Sequence, residues 1–272
     1  MYEFSLSTPR TLAAAVREQQ ASGGKYLAGG QTLVPTLRMR LADPGHLVSL
    51  SRIVELQTIA ESAEQLTIGA AVTHREIARS PLVQNGLPML AEVAGAIGDP
   101  AVRNRGTIGG SVANNDPSAD YPAVLLALAA TVVTNRREVA AADFFQGVFA
   151  TSLTEDGDES ELVTAIRFPK IRRAAYARFR HPASGFALIG VAVAETADGL
   201  RVAVTGGGFG VQRQERLESA LTARFAPQSL VGLRLDAADF ASDSTTQADY
   251  RAALTVAMAQ AAVTKIVQVN RN

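Results

Sequence analysis

Two glycine-bearing stretches carry the residues best suited to chemistry. The longer is Val102-Arg103-Asn104-Arg105-Gly106-Thr107-Ile108-Gly109-Gly110-Ser111, continuing through Val112-Ala113-Asn114-Asn115-Asp116-Pro117-Ser118-Ala119-Asp120. The shorter, Ala28-Gly29-Gly30-Gln31-Thr32, lies roughly 80 residues upstream. Closely spaced glycines let the backbone turn sharply and leave its N–H groups uncovered by side chains. Successive uncovered N–H groups make a concave nest for an anion, phosphate above all. Thr32, Thr107 and Ser111 add hydroxyls that bond phosphate without adding charge, and Arg103 and Arg105 raise the local positive potential. Either stretch alone also suits a simple tight turn. Together they can grip one pyrophosphate from both sides.

The pair AGGQT and VRNRGTIGGS…NNDPSAD resembles the two FAD-binding signatures of the flavoprotein (medium) subunits of molybdenum hydroxylases. This is the family of carbon monoxide dehydrogenase medium subunits and the FAD domain of xanthine dehydrogenase. The resemblance extends over nearly the whole chain in order of elements and length. It implies an α+β chain, with a two-lobed FAD-binding domain of the PCMH/vanillyl-alcohol-oxidase type followed by a smaller α+β C-terminal domain. It places Ala28, Gly29, Gly30, Gln31 and Thr32, with Thr107, Ile108, Gly109, Gly110 and Ser111, at the pyrophosphate and ribitol of FAD. Ile97 and Val163 match apolar positions lining the cofactor, and Asn114 lies in the second signature. Asp120 matches an acidic flavin contact, and it could equally cap the helix that follows. Arg180 stands where the family's lysine near the flavin pyrimidine edge is expected; a cation there stabilises the negative charge of reduced flavin. Asn114-Asn115 stands where the family often has a histidine before Asp-Pro.

The partners implied by the resemblance are a large molybdopterin-binding subunit and a small [2Fe–2S] subunit, assembled as a heterohexamer (a dimer of heterotrimers). Electrons would pass from those clusters through FAD to an external acceptor. No residue is assigned as an acid or base. Two other readings remain open: a stand-alone flavin-dependent oxidase of the vanillyl-alcohol type, and a phosphate-ligand binding protein without redox work.

Composition narrows the field further. The 272 residues balance 26 basic against 26 acidic side chains, so no charge excess points to nucleic acid or an anionic membrane. Cysteine is absent, which excludes thiolate-held clusters and disulfides within this chain. His46, His74 and His181 are too scattered to suggest a metal site. No signal peptide is visible at Met1-Tyr2-Glu3-Phe4, and the longest nearly apolar run, Tyr121 to Val133, is shorter than the roughly 18 residues of a membrane helix. A cytoplasmic protein with no membrane span is the expectation.

The elements that must position the glycines follow from periodicity and capping. Thr8-Pro9 predicts a helix start, with Leu12, Ala15, Val16 and Gln19 on one face and a stop at Ser22-Gly23-Gly24. Tyr26 to Ala28 predicts a strand into the first glycine stretch, and Thr32 to Pro35 opens a short helix whose Arg38 and Arg40 face solvent or an interface. Leu47 to Leu50 is a further strand, closing a first lobe of about residues 1–56. In a second lobe, 57–169, Gln65 to Ala70 alternates as a half-buried strand, and Thr73-His74-Arg75-Glu76 has capping-box spacing. A helix from Pro88 to Ile97 leads into the second glycine stretch. Ala123 to Leu128 predicts a buried helix, Thr131 to Thr134 a strand, Glu155 to Glu161 an acidic surface loop, and Leu162 to Phe168 the last strand. After a linker at Lys170 to Arg173, strands at 175–180, 186–195 and 200–205 precede helices at 213–224 and 250–267, an α+β pattern for 170–272. Val202 to Gly210 superficially suggests a dinucleotide fold, but Val211 stands where its third glycine should be. A turn is the better account.

Overall fold

The structure, a computed structural model, describes residues 1–154 and 160–269. Among the described residues three larger sheets follow one another along the chain, and a fourth, of two strands, pairs Phe145–Gly147 with Ala150–Thr151. The first is parallel, with His46–Ser49 between Ser5–Ser7 and Lys25–Leu27. Its crossover helix, Leu12–Ser22, is capped by Thr11 rather than Thr8: the Thr11 hydroxyl accepts from Ala14 N at 3.2 Å. Thr11 stands directly ahead of Leu12, where the buried stripe begins, so cap and apolar face start together. Gly23, at φ 64°, ends the helix as expected.

The middle sheet is antiparallel, in the order Ile59–Glu61, Gln65–Gly69, Val163–Pro169, Thr131–Thr134, Glu138–Ala140. Its two edge strands have three residues each, too short to show a period. The capping box is present, with Thr73 N donating to Glu76 Oε2 at 2.8 Å and Glu76 N to Thr73 Oγ1 at 3.2 Å. The helices Pro88–Ala96 and Asp120–Ala127 pack into a core with Ile68, Ile108, Ile166 and Phe168. The expected acidic loop at Glu155 to Glu161 lies mostly outside the described residues. Its last member is corrected: Glu161 is buried, accepting from Thr134 Oγ1 at 2.7 Å and from Arg137 Nε at 3.1 Å. A carboxylate that finds two donors can leave the surface.

The third sheet runs Arg173–Arg180, Ala187–Thr196, Gly199–Thr205, Gln212–Arg213, antiparallel throughout. Its central strand is buried on both faces, hence its continuous apolar run. Val191, Val193, Val202 and Val204 face the helices Glu215–Ala223 and Ala248–Val269. The alternate positions Tyr176, Ala192, Ala194 and Ala203 join the core of the middle sheet's lobe. Small residues on that face let the helix Asp120–Ala127 approach closely. Thr205 Oγ1 donates to the carbonyls of Pro117 and Ala119, and Gly206 N to that of Pro117. Gly206 to Gly210 is a turn, and it leads into a fourth short strand before the helix. Ala248–Val269 is long and apolar enough to cross a membrane by composition. Here it lies on the sheet with Arg251, Ala252, Thr255 and Val256 buried.

Candidate functional site

The first glycine segment leaves the strand Lys25–Leu27 and enters the helix Leu33–Arg38. Gly30 sits at φ 73°, a conformation that strains any residue with a Cβ. Its carbonyl accepts from Val34 N at 3.1 Å, starting the helix. Among the described residues, none accepts a hydrogen bond from the N–H groups of Gly29, Gly30, Gln31 or Thr32. Gln31 and Thr32 are exposed. This is the uncovered backbone that an anion needs.

The second segment meets the first. A Cβ on Gly29 would overlap the Arg105 carbonyl and crowd Gly106 Cα, and one on Gly110 would sit 3.5 Å from the Ala28 Cβ. The segment differs from expectation in one respect: Gly109 and Gly110 do not form an open turn but begin the helix Ile108–Asn114, capped by Thr107. Its N–H groups are engaged. Ile108 donates to Val72 O at 3.1 Å, Gly109 to Ala70 O at 2.9 Å, Gly110 to Thr107 Oγ1 at 3.1 Å and Ser111 to Thr107 O at 3.1 Å. Gly109 lacks a Cβ because the chain at Ala70 fills that space. What this segment can offer an anion is therefore hydroxyl chemistry: Thr107, which accepts from Gly110 and keeps its own hydrogen to donate, and Ser111.

His74 supports the segment from beneath. Its N–H donates to Gly106 O at 2.9 Å, and a Cβ on Gly106 would fall 2.7 Å from its Nε2. Nδ1 lies 3.1 Å from the Tyr121 hydroxyl. Burial, then the nearby Arg103 charge, lowers its pKa to about 4, so the imidazole is neutral at pH 7. The other histidines also have local partners: His46 meets Ser5 Oγ and Ser7 Oγ, and His181 Nδ1 accepts from Ala183 N and Ser184 N. Among the described residues no group of side chains could hold a metal.

Asp120 does not cap its helix, correcting that alternative: Ala119 holds the cap position and Asp120 begins the first turn. Its carboxylate turns to the third sheet. One oxygen accepts from the Tyr176 hydroxyl at 2.6 Å and the other from Arg178. Burial, and after it the Asp120 charge, hold the Tyr121 and Tyr176 hydroxyls well above the usual tyrosine range. Arg178 also donates to the Ala96 carbonyl, which Arg180 reaches at 2.9 Å. Ile97, half-buried, follows directly at the end of that helix. Asn114 is half-buried in the Thr107-capped helix, while Asn115, at φ 44°, donates to Gly147 O and Ala150 O, both at 2.7 Å. Val163 is 5% exposed, inside the core of the middle sheet.

Tyr176 and Arg178 were not singled out from the sequence, although a signal existed. Tyr176, Arg178 and Arg180 stand two apart on one strand, so attention to Arg180 implicates the other two on the same face.

Residues 2–171 match the model of the family described as FAD binding domain in molybdopterin dehydrogenase. The chain is 35% identical to the carbon monoxide dehydrogenase medium chain of Hydrogenophaga pseudoflava, over 96% of each chain. It is 37% identical to the nicotine 6-hydroxylase medium subunit of Paenarthrobacter nicotinovorans, over 72% of each. Its backbone is similar to a chain of the carbon monoxide dehydrogenase of Hydrogenophaga pseudoflava that lacks the Mo-pyranopterin moiety of the molybdenum cofactor. That similarity has a TM-score of 0.87 at 33% identity and covers 98% of both chains.

Proposed function

The chain belongs to the family of FAD-binding domains of molybdopterin dehydrogenases, and from that membership we propose that it serves as the electron-transfer flavoprotein subunit of a molybdenum hydroxylase complex. It is an FAD-binding oxidoreductase component. Its residues suit a dinucleotide: four consecutive N–H groups from Gly29 to Thr32 stand without acceptors among the described residues, on a segment that meets the one carrying the Thr107 and Ser111 hydroxyls. A Cβ on Gly110 would project between Thr107 Oγ1 and Ala28, into the space the two segments share. That meeting of the two glycine segments carries the reading.

In this reading, Gly29, Gly30, Gln31 and Thr32 bind the diphosphate through the backbone, and Thr107 and Ser111 through hydroxyls. Ala28, Ile108, Gly109 and Gly110 keep the walls close, with Asn114 farther along the same helix. Ile97 presents an apolar surface, Val163 supports the wall from the core, and Asp120 and Arg180 serve the ring edge. Bound flavin supplies the ability to accept electrons singly and release them in pairs. Arg180 would hold positive charge where reduced flavin is negative.

The donors are two [2Fe–2S] clusters on a small partner subunit, fed by a molybdopterin-bearing large subunit. The complex is a cytoplasmic dimer of heterotrimers that delivers electrons to an external acceptor. Relatives named for carbon monoxide, nicotine and caffeine resemble this chain at 28–37% identity, which supports substrate choice residing on another polypeptide. The family match favours this reading over a stand-alone oxidase. Co-expression with neighbouring reading frames tests it: the chain should purify yellow, release FAD, and bring down one cysteine-rich small chain and one large molybdopterin chain. A colourless chain that binds no added FAD overturns it. Oxidation of simple alcohols by the chain alone would point to the oxidase instead.

A further inference from the structure

The third sheet begins at Arg173, beyond the 2–171 segment that carries the family match, yet two of its side chains determine where Asp120 points. The Tyr176 hydroxyl and the Arg178 guanidinium together engage both carboxylate oxygens of Asp120. The same guanidinium donates to the Ala96 carbonyl at the end of Pro88–Ala96, next to Ile97. Arg178 and Asp120 are nearly enclosed, with 10% and 7% of their side chains exposed. The arrangement is built into the packing: a Cβ on Gly190 in the neighbouring strand would overlap the Tyr176 hydroxyl, so a glycine there clears its path to Asp120.

We propose that Tyr176 and Arg178 are positioning residues for the flavin, clamping Asp120 and the Ala96–Ile97 helix end into one fixed edge of the cofactor site. The inference rests on the reading of Asp120 as a flavin contact. A planar fork can hold a carboxylate and a carbonyl at once, which an ammonium on a flexible stem does poorly. Removing the fork takes away the side chain that bridges two separate helices, Pro88–Ala96 and Asp120–Ala127, leaving Asp120 to Tyr176 and the Ala96 carbonyl to Arg180. It also leaves the Asp120 charge uncompensated beside the ring, which disfavours the negative, reduced flavin.

The test uses the full-length chain with FAD, measuring FAD dissociation constant, flavin midpoint potential and melting temperature. R178Q is expected to weaken FAD binding at least tenfold and to move the potential more negative. Y176F should move both in the same direction by less. R178K, which keeps charge without the fork, should weaken binding while leaving the potential near its original value. D120N should weaken binding, and adding R178Q to it should cause little further loss, since coupled residues are non-additive. If R178Q does not fold, Y176F and R178K carry the comparison. Loss of binding in D120N with unchanged affinity and potential in R178Q, R178K and Y176F overturns the positioning role, as does full additivity. Unchanged binding in D120N overturns the reading of Asp120 itself, and the proposal with it.

Discussion

The carbonyl of Arg105 occupies the space that a side chain on Gly29 would need. Two segments roughly 80 residues apart thereby share one backbone contact, and Gly29→Ala must force them apart. Overpacking of this kind costs about 1–3 kcal/mol, a loss of a few degrees in melting temperature for a chain of this size. FAD affinity should fall with it. Gly23→Ala is the control: Gly23 has a positive φ, which strains an alanine, but nothing within 4 Å, so it should lower stability without changing FAD titration.

Gly110→Asp separates phosphate binding from folding. A carboxylate in the first turn of the helix Ile108–Asn114 favours the helix dipole, so the fold should persist. The same carboxylate would lie beside Thr107 and Ala28, where it repels a diphosphate. Absorbance of the purified variant should show little or no flavin, and full flavin content would refute the placement of the phosphates.

Acid should weaken the fold through His74. Its folded pKa, about 4, lies below the unfolded value near 6.5, so the unfolded chain binds the proton first. The neutral imidazole's contribution is therefore complete above about pH 6.5 and declines as pH falls toward 4, by up to about 3 kcal/mol. Denaturant unfolding of wild type and His74→Gln across pH 4 to 7 checks this. The two should diverge at neutral pH and converge in acid; parallel curves would refute it.

Gly190→Ala should destabilise the third sheet, because its methyl group overlaps the Tyr176 hydroxyl and ring carbon Cζ. Y176F removes the hydroxyl, so the alanine should cost less in that background. Thermal melts of the two single variants and the double variant form the cycle. Additive losses would mean that the two positions do not press on each other.

Much of this molecule was legible along the chain. The stripe Leu12, Ala15 and Gln19, the Thr73–Glu76 box and the alternation of Gln65 to Gly69 follow from contacts within a few residues, where periodicity and capping act. The glycine signatures carried the family in the same way. The three-residue edge strands Ile59–Glu61 and Glu138–Ala140 were not visible, because a strand that short takes its identity from its neighbour in the sheet. Only the tertiary structure decided which glycine segment keeps its N–H groups open, because the acceptors that engage Ile108 and Gly109 are Val72 and Ala70, supplied by another stretch of chain. The same holds for Asp120: its type made it a cap or a ligand contact, and its partners at Tyr176 and Arg178 exist only because the third sheet folds back against its helix. Spacing along a chain specifies local geometry, whereas the occupancy of a hydrogen-bonding group depends on whatever distant backbone arrives beside it.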